Sequence, residues 1–308
     1  MESLTDFSIV IPVYKNYESL GPLISSLDKT LSKLPINHEI IFVIDGSPDR
    51  SLEWLRQNLP LENANCILVD LSRNFGSIAA IRLGMTKASG SIVAVMAADL
   101  QESPNILLEF YSVLCSGDTE IAIGRRISRN DPGMSKLFSH LYWNFYRKTI
   151  NPEIPIGGVD VFACTKEAKD QIIAMKENST SLVGLLFWVG FSRTYVDYER
   201  LERPYGKSAW TFRKKLRYFS DSIFAFSHAP ILLLQGIGIF GISSSILIGS
   251  FTFFGAITDR ISAPGYPAIL IAILFSTSSI LLGLGIVGDY AWRAYENTKM
   301  RPLVIIRN

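Results

Sequence analysis

Four residues able to meet a ligand recur at one kind of place in this chain. Pro12, Asp45, Ser72 and Asp99 stand at or just beyond the ends of four apolar, β-rich runs: FSIVIPV (7–13), HEIIFVID (38–45), NCILVDL (65–71) and SIVAVMAAD (91–99). In sheets built from such runs, ligands bind outside the carboxyl ends of the strands. Further along lie two long runs without a charged residue, 231–257 and 268–287. A helix needs about 20 apolar residues to cross a bilayer, and each run is long enough. Polar groups on a soluble sheet, followed by membrane-length helices, point to chemistry between a water-soluble compound and a lipid.

The elements that must hold these residues are legible from periodicity. Helical stretches at 18–34, 51–59, 76–88 and 104–114 alternate with the apolar runs, and EIAIG (120–124) reads as a fifth strand. Continuous apolar strands alternating with helices predict a Rossmann-like α/β fold with a mostly parallel sheet covered on both faces. Two amphipathic stripes follow. The first is Met134, Leu137, Phe138, Leu141, Tyr142 and Phe145. The second is Phe212, Leu216, Phe219, Ile223 and Phe226, with Arg213, Lys214 and Arg217 on other faces. Core packing is the usual fate of such stripes. The second is basic, aromatic and adjacent to a spanning run, which favours a helix lying at lipid headgroups.

Charge placement predicts the topology. Basic residues precede the first run in TFRKKLRY (211–218) and follow the second at Arg293, Lys299, Arg301 and Arg307, whereas the loop 258–267 carries one Asp and one Arg. Both flanks are therefore expected on the cytoplasmic side. MESLTDFSIV lacks the basic start of a signal peptide, which is expected to leave the first domain in the cytoplasm. The predicted order is a soluble domain (1–209), a juxtamembrane amphipathic helix (210–230), a transmembrane hairpin (231–290, with spans 231–257 and 268–290) and a cytoplasmic tail (291–308). The expected location is the inner, cytoplasmic membrane. A net charge of +2 gives no reason to expect a nucleic-acid partner. Cys66, Cys115 and Cys164 match no metal or disulfide framework and are expected as buried thiols. GIGIFG (236–241) and GLGIVG (283–288) have the spacing of dinucleotide loops but lie inside spanning runs. Gly241, Ser245 and Gly249 instead suit close helix packing, including between copies of the chain.

At this point the motifs resemble a known family. IPVYKN (11–16), VIDGSPD (43–49), LSRNFGSIAA (71–80), MAADLQESP (96–104) and GRR (124–126) follow, in order, the strand-end motifs of family 2 glycosyltransferases with the GT-A fold. PIGGVDVF (155–162), RPYGKS (203–208) and GDYAWRAYENTKMRPLVII (288–306) extend the resemblance to the polyisoprenyl-phosphate glycosyltransferases. These include bactoprenol glucosyltransferases of the GtrB type and dolichol-phosphate mannosyltransferase. The resemblance covers nearly the whole chain. It implies inverting transfer of a sugar from a nucleotide diphosphate sugar, such as UDP-glucose, to a polyprenyl phosphate.

Site assignments follow from the resemblance, motif by motif. Pro12, Val13, Tyr14, Asp45, Ala98 and Asp99 are expected around the nucleotide sugar. For Asp45 a turn with Gly46 and Ser47 is the structural alternative, and both roles can coexist. Asp99 and Gln101 are the expected ligands of Mg2+ or Mn2+, a cation that neutralises the leaving diphosphate. The family's D-x-D-x-Q reads Ala97-Ala98-Asp99-Leu100-Gln101 here, so one carboxylate is missing, and Ile44 replaces another family Asp. Loss of the metal site would leave a membrane scaffold, and Ala97 is the one residue in that reading's favour. A different lipid acceptor is a further alternative. Arg125, Arg203 and Ser208 are expected at the acceptor phosphate, whose oxygens arginine forks match. Arg126 is a weaker candidate, and solvated surface charge is the ordinary fate of any one arginine. Asp160 and Asp99 are the expected catalytic carboxylates. Asp160 orients the acceptor or acts as a base, with a loop cap as its plainer role.

Overall fold

The computed structural model describes residues 5–60, 64–127, 143–144, 146–148, 151–155, 158–177, 180–205, 212–227, 229–258 and 266–307. These fall into two units, one of residues 1–218 with 301–308 and one of residues 219–300. Ser208, the first amphipathic stripe and the loop between the apolar runs at 259–265 lie outside the described residues.

The first unit is built on a seven-stranded sheet. Its strands are β1 (Phe7–Val13), β2 (His38–Ile44), β3 (Asn65–Asp70), β4 (Ile92–Val95), β5 (Ile121–Arg126), β6 (Phe162–Thr165) and β7 (Arg193–Tyr198), in the order β3-β2-β1-β4-β6-β5-β7. All pairings are parallel except those of β6, which runs antiparallel to both β4 and β5. The expected α/β sheet is present and mostly parallel, and among the described residues β6 is its one reversed member. Reversal puts the amino end of β6 beside the carboxyl ends of its neighbours.

Alternation along the strands supplies both faces of the core. Phe7, Ile9, Ile11 and Val13 of β1 face one cluster with Leu20, Leu23, Leu27 and Leu31 of α1 (Tyr17–Leu31), Leu55 of α2 (Ser51–Asn58) and Phe110 of α4 (Ile106–Cys115). Val10, Ile41 and Val43 face the other, with Ala80 and Met85 of α3 (Ser77–Lys87) and Ala168 and Ile172 of the helix Lys166–Ala174. Each fully buried Leu, Ile or Phe stabilises the fold by about 1.5–3 kcal/mol. Gly84 lets α3 lie directly on the sheet, because a Cβ there would collide with the side chain of Val10.

At the amino end of the strands, the buried Glu39 carboxylate accepts from Ser8 Oγ at 2.6 Å, Ser89 N at 2.7 Å and Ser89 Oγ at 2.9 Å. Three donors satisfy a group that would be costly to bury alone. Of the cysteines, Cys164 is buried as expected, whereas Cys66 is half-buried and Cys115 exposed.

The second unit is helical: most of Phe212–Phe226, then Ala229–Ile257 and Tyr266–Thr298. Arg293 donates to Asp221 Oδ1 at 2.9 Å and to Asp289 Oδ2 at 2.8 Å, and Tyr290 packs edge-on against Phe224. Among the described residues no single helix is long and apolar enough to cross a membrane. One bent pair, Tyr218–Phe226 with Pro230–Gly241, meets that test together. Leu232, Ile239, Phe240, Leu247, Phe254, Leu281 and Trp292 expose more than half of their surface.

Candidate functional site

Strand register brings the site residues to one end of the sheet. Val95 of β4 and Ile123 of β5 both pair with Phe162, the first residue of β6, while Arg126 of β5 pairs with Tyr198 of β7. The residues just beyond these positions, Asp99, Asp160 and Arg200, therefore converge. The expected strand 91–99 ends early, at Val95. Residues 96–99 leave the sheet and turn, and Leu100 takes φ 61°, a conformation a branched side chain adopts only when its surroundings impose it.

That turn presents Asp99 and Gln101 together. Gln101 N donates to Asp99 Oδ1 at 3.2 Å. The segment after β7 clasps both residues. Leu201 N donates to Gln101 O at 2.9 Å, Arg200 Nη2 donates to Gln101 Oε1 at 2.6 Å, and Arg203 Nη2 forms an ion pair with Asp99 Oδ2.

Asp160 is the hub of the adjoining network. Its Oδ2 accepts from Arg126 and, at 2.8 Å, from Tyr198 Oη, with Arg200 Nη1 at 3.8 Å. Burial works against the charge of Arg126, but the Asp160 carboxylate outweighs it and raises the guanidinium pKa. The Tyr198 phenol is pushed up by burial and by the charges of Asp160 and Glu102.

Glu102 completes the cluster and was not among the residues the motifs singled out. It is buried, its Oε2 has no hydrogen-bond partner among the described residues, and burial together with the Asp160 and Asp99 carboxylates pushes it up to about 8. Its position inside MAADLQESP was the available signal. Arg200 and Tyr198 were missed as well, because nothing local marks the end of β7 as part of a site.

On the other side of Arg126 lies a cavity of about 370 Å³ lined by Arg125, Arg126, Arg147, Glu153, Ile154, Pro155 and Tyr195. Arg125 is bidentate on Asp197, at 2.5 and 2.9 Å, and both side chains are exposed. Arg147 Nε donates to Pro152 O at 3.0 Å. Three guanidinium groups around one opening suit an anionic ligand.

The residues expected at a nucleotide lie at the ends of β1 and β2 and beyond the end of β4. The Asp45 carboxylate is buried and accepts from Phe75 N at 2.6 Å, Gly76 N at 2.9 Å and Asn74 Nδ2 at 2.9 Å. It thus shapes the loop entering α3. Gly46 takes φ 55°, and a Cβ there would strike the Arg73–Asn74 backbone. The Val13 side chain is in the core and its carbonyl accepts from Asp45 N at 3.0 Å. The Ala98 carbonyl accepts from Ser19 Oγ at 2.7 Å. Pro12 and Tyr14 are partly exposed. Asp49 ties the two strand ends together, accepting from Ser47 Oγ at 2.6 Å and Tyr17 N at 3.1 Å. Burial alone would raise its pKa, but the hydrogen bonds from Ser47, Ser51 and Tyr17 outweigh it and hold the carboxyl below its usual range.

A divalent cation can be tested against this donor set. Among the described residues, no group of three or more His, Cys, Asp or Glu side chains is arranged to hold a metal. Asp99 and Gln101 offer one carboxylate and one amide oxygen on one turn. That set fits Mg2+, which keeps several waters and takes further oxygens from substrate phosphates.

Residues 8–167 match the family model for glycosyl transferase family 2. Among curated proteins, the chain is 34% identical to the glycosyltransferase CsbB of Bacillus subtilis (strain 168), over 97% of this chain and 91% of that protein. It is 28% identical to the bactoprenol glucosyl transferase of Shigella phage SfV, over 98% of both. Among solved structures, glucosyl-3-phosphoglycerate synthase from Mycobacterium tuberculosis, in complex with Mn2+, UDP-glucose and phosphoglyceric acid, matches with a TM-score of 0.47 and 15% identity. That match covers 65% of this chain and 73% of the other.

Proposed function

This chain belongs to glycosyl transferase family 2, and we propose that it moves a hexose from a nucleoside diphosphate sugar, UDP-glucose or a close relative, to a polyprenyl phosphate at the cytoplasmic face of a membrane. One observation carries the reading. Asp99, Glu102, Asp160, Arg126, Arg200 and Arg203 form a single network at the carboxyl ends of the strands, next to a cavity lined by three arginines. A reaction between two phosphate-bearing substrates needs that combination of cations and fixed carboxylates.

In the proposed reaction a phosphate oxygen of the lipid attacks the anomeric carbon. The bond from that carbon to the diphosphate breaks, and the nucleoside diphosphate leaves. One displacement inverts the anomeric centre. The second pKa of a phosphate monoester is about 6, so the nucleophile is already largely anionic at neutral pH and needs no strong base. Asp160, fixed by Arg126 and Tyr198, then orients the acceptor. Arg125 and Arg126, with Arg147, hold the acceptor phosphate, and Arg203 adds a further cation beside Asp99. A divalent ion held by Asp99 and Gln101 supplies positive charge to the leaving diphosphate when bound.

The full-length similarity to a protein named bactoprenol glucosyl transferase supports a polyprenyl phosphate acceptor. The exposed apolar side chains of the second unit support a hairpin covered by lipid. Membranes containing the chain, incubated with radiolabelled UDP-glucose, other nucleotide sugars and polyprenyl phosphate, are expected to yield labelled lipid. Absence of labelled lipid with every donor overturns the proposal.

A further inference from the structure

The end of the chain returns to the sheet. Ser72 N donates to Ile305 O at 2.9 Å and Arg307 N donates to Asp70 O at 2.7 Å, with Leu71 and Ile306 forming an antiparallel bridge between them. Arg307 Nη2 donates to Ser72 O at 3.0 Å. Val304 packs against the second core cluster. The contact lies at the carboxyl end of β3, the outermost strand of its edge.

The Asp70 side chain faces the same segment. Its Oδ2 is buried without a hydrogen bond, and Arg307 Nη1 faces it at 3.8 Å. A buried carboxylate oxygen is costly unless a cation stands near it.

The paired residues lead directly into the 73–76 loop. Arg73 stacks on Phe75 at 4.0 Å from the ring centre, and Asn74, Phe75 and Gly76 donate to Asp45. The loop is therefore gripped on one side by β2 and on the other by the chain's end.

We propose that residues 304–307 are a positioning element of the donor site: by pairing with Asp70–Ser72 they fix the 73–76 loop against Asp45 and so set the affinity for the nucleoside diphosphate. The inference rests on the reading that Asp45 and its neighbours meet the donor nucleotide. Arg307 acts through the loop and touches no substrate.

The test uses the full-length protein in detergent, with UDP and GDP as binding probes and UDP-glucose as donor. Arg307→Pro removes both the amide donor to Asp70 and the side chain; Arg307→Ala removes only the side chain. Arg307→Pro is expected to weaken nucleotide binding and raise the donor KM by roughly tenfold, leaving the polyprenyl phosphate KM within about twofold. Arg307→Ala is expected to give a smaller shift of the same kind, and it carries the test if Arg307→Pro does not fold. Wild-type nucleotide affinity in both variants overturns the inference, as does an equal rise in donor and acceptor KM, which marks general loosening. If the unaltered protein binds neither UDP nor GDP, the donor-site reading itself fails, and the tail inference falls with it.

Discussion

Arg203 is ion-paired with Asp99, the carboxylate expected to hold a divalent cation. Arginine and cation compete for the same oxygens, and Ala97 contributes no second carboxylate. Removing Arg203 is therefore expected to strengthen metal binding while weakening transfer. Calorimetric titration of Mn2+ into Arg203→Ala should show binding tighter by about tenfold, or about 1.4 kcal/mol. Unchanged Mn2+ affinity would show that the pair opens at no cost. Removing the metal with EDTA should abolish transfer by the unaltered protein, and Asp99→Ala should match that loss.

Asp160 and Arg126 are expected to depend on one another. The Arg126 side chain is 9% exposed, so Asp160→Asn leaves a buried guanidinium without its counter-charge. Breaking a buried pair costs about 3–5 kcal/mol, and the partial exposure of Asp160 places this case at the low end. Thermal unfolding of Asp160→Asn should show a clear drop. The double variant Asp160→Asn, Arg126→Leu should regain much of the stability and none of the activity. Recovered activity would exclude Asp160 from the chemistry.

Glu102 gives a pH signature. Its folded-state pKa is pushed up to about 8 from an ordinary value of 4.5. The neutral form is thus favoured by folding, so the contribution is complete below about pH 4.5 and is lost as pH rises through about 8. With chelator present, the unfolding temperature should fall between pH 5 and pH 8.5. Glu102→Gln should flatten that fall. An equal fall in both proteins would assign it to other groups.

Gly84 tests the packing of α3 on the sheet. A methyl group there meets Val10, and overpacking a core typically costs about 1–3 kcal/mol. Denaturant unfolding of Gly84→Ala should show that loss. The paired change Val10→Ala should restore part of it.

Much of the catalytic unit was legible in the sequence because burial on both faces writes continuous apolar runs. The runs at 7–13, 38–45, 65–71 and 120–124 became β1, β2, β3 and β5 with small end shifts. β6 and β7 were not assigned. Four residues, Phe162–Thr165, carry too little pattern to read as a strand, and Arg193–Tyr198 mixes charged and aromatic residues because it forms the sheet edge. Asp99, Gln101 and Asp160 could be named from motifs. Their pairing with Arg203, Arg200 and Arg126 could not, because those contacts span about a hundred residues or cross between strands whose register the sequence does not record.

The pairing of Ile305 and Arg307 with β3 also constrains the order in which the protein can be finished. Chains fold from the amino end as they are synthesised, yet residues 304–307 are made only after the helices Ala229–Ile257 and Tyr266–Thr298. A nascent chain can assemble β1 to β7 and cap the 73–76 loop with Asp45, but it lacks the loop's other grip until the helical segments have been made. Chains that stop short within those helices leave the ribosome with the edge at Asp70–Ser72 unpaired.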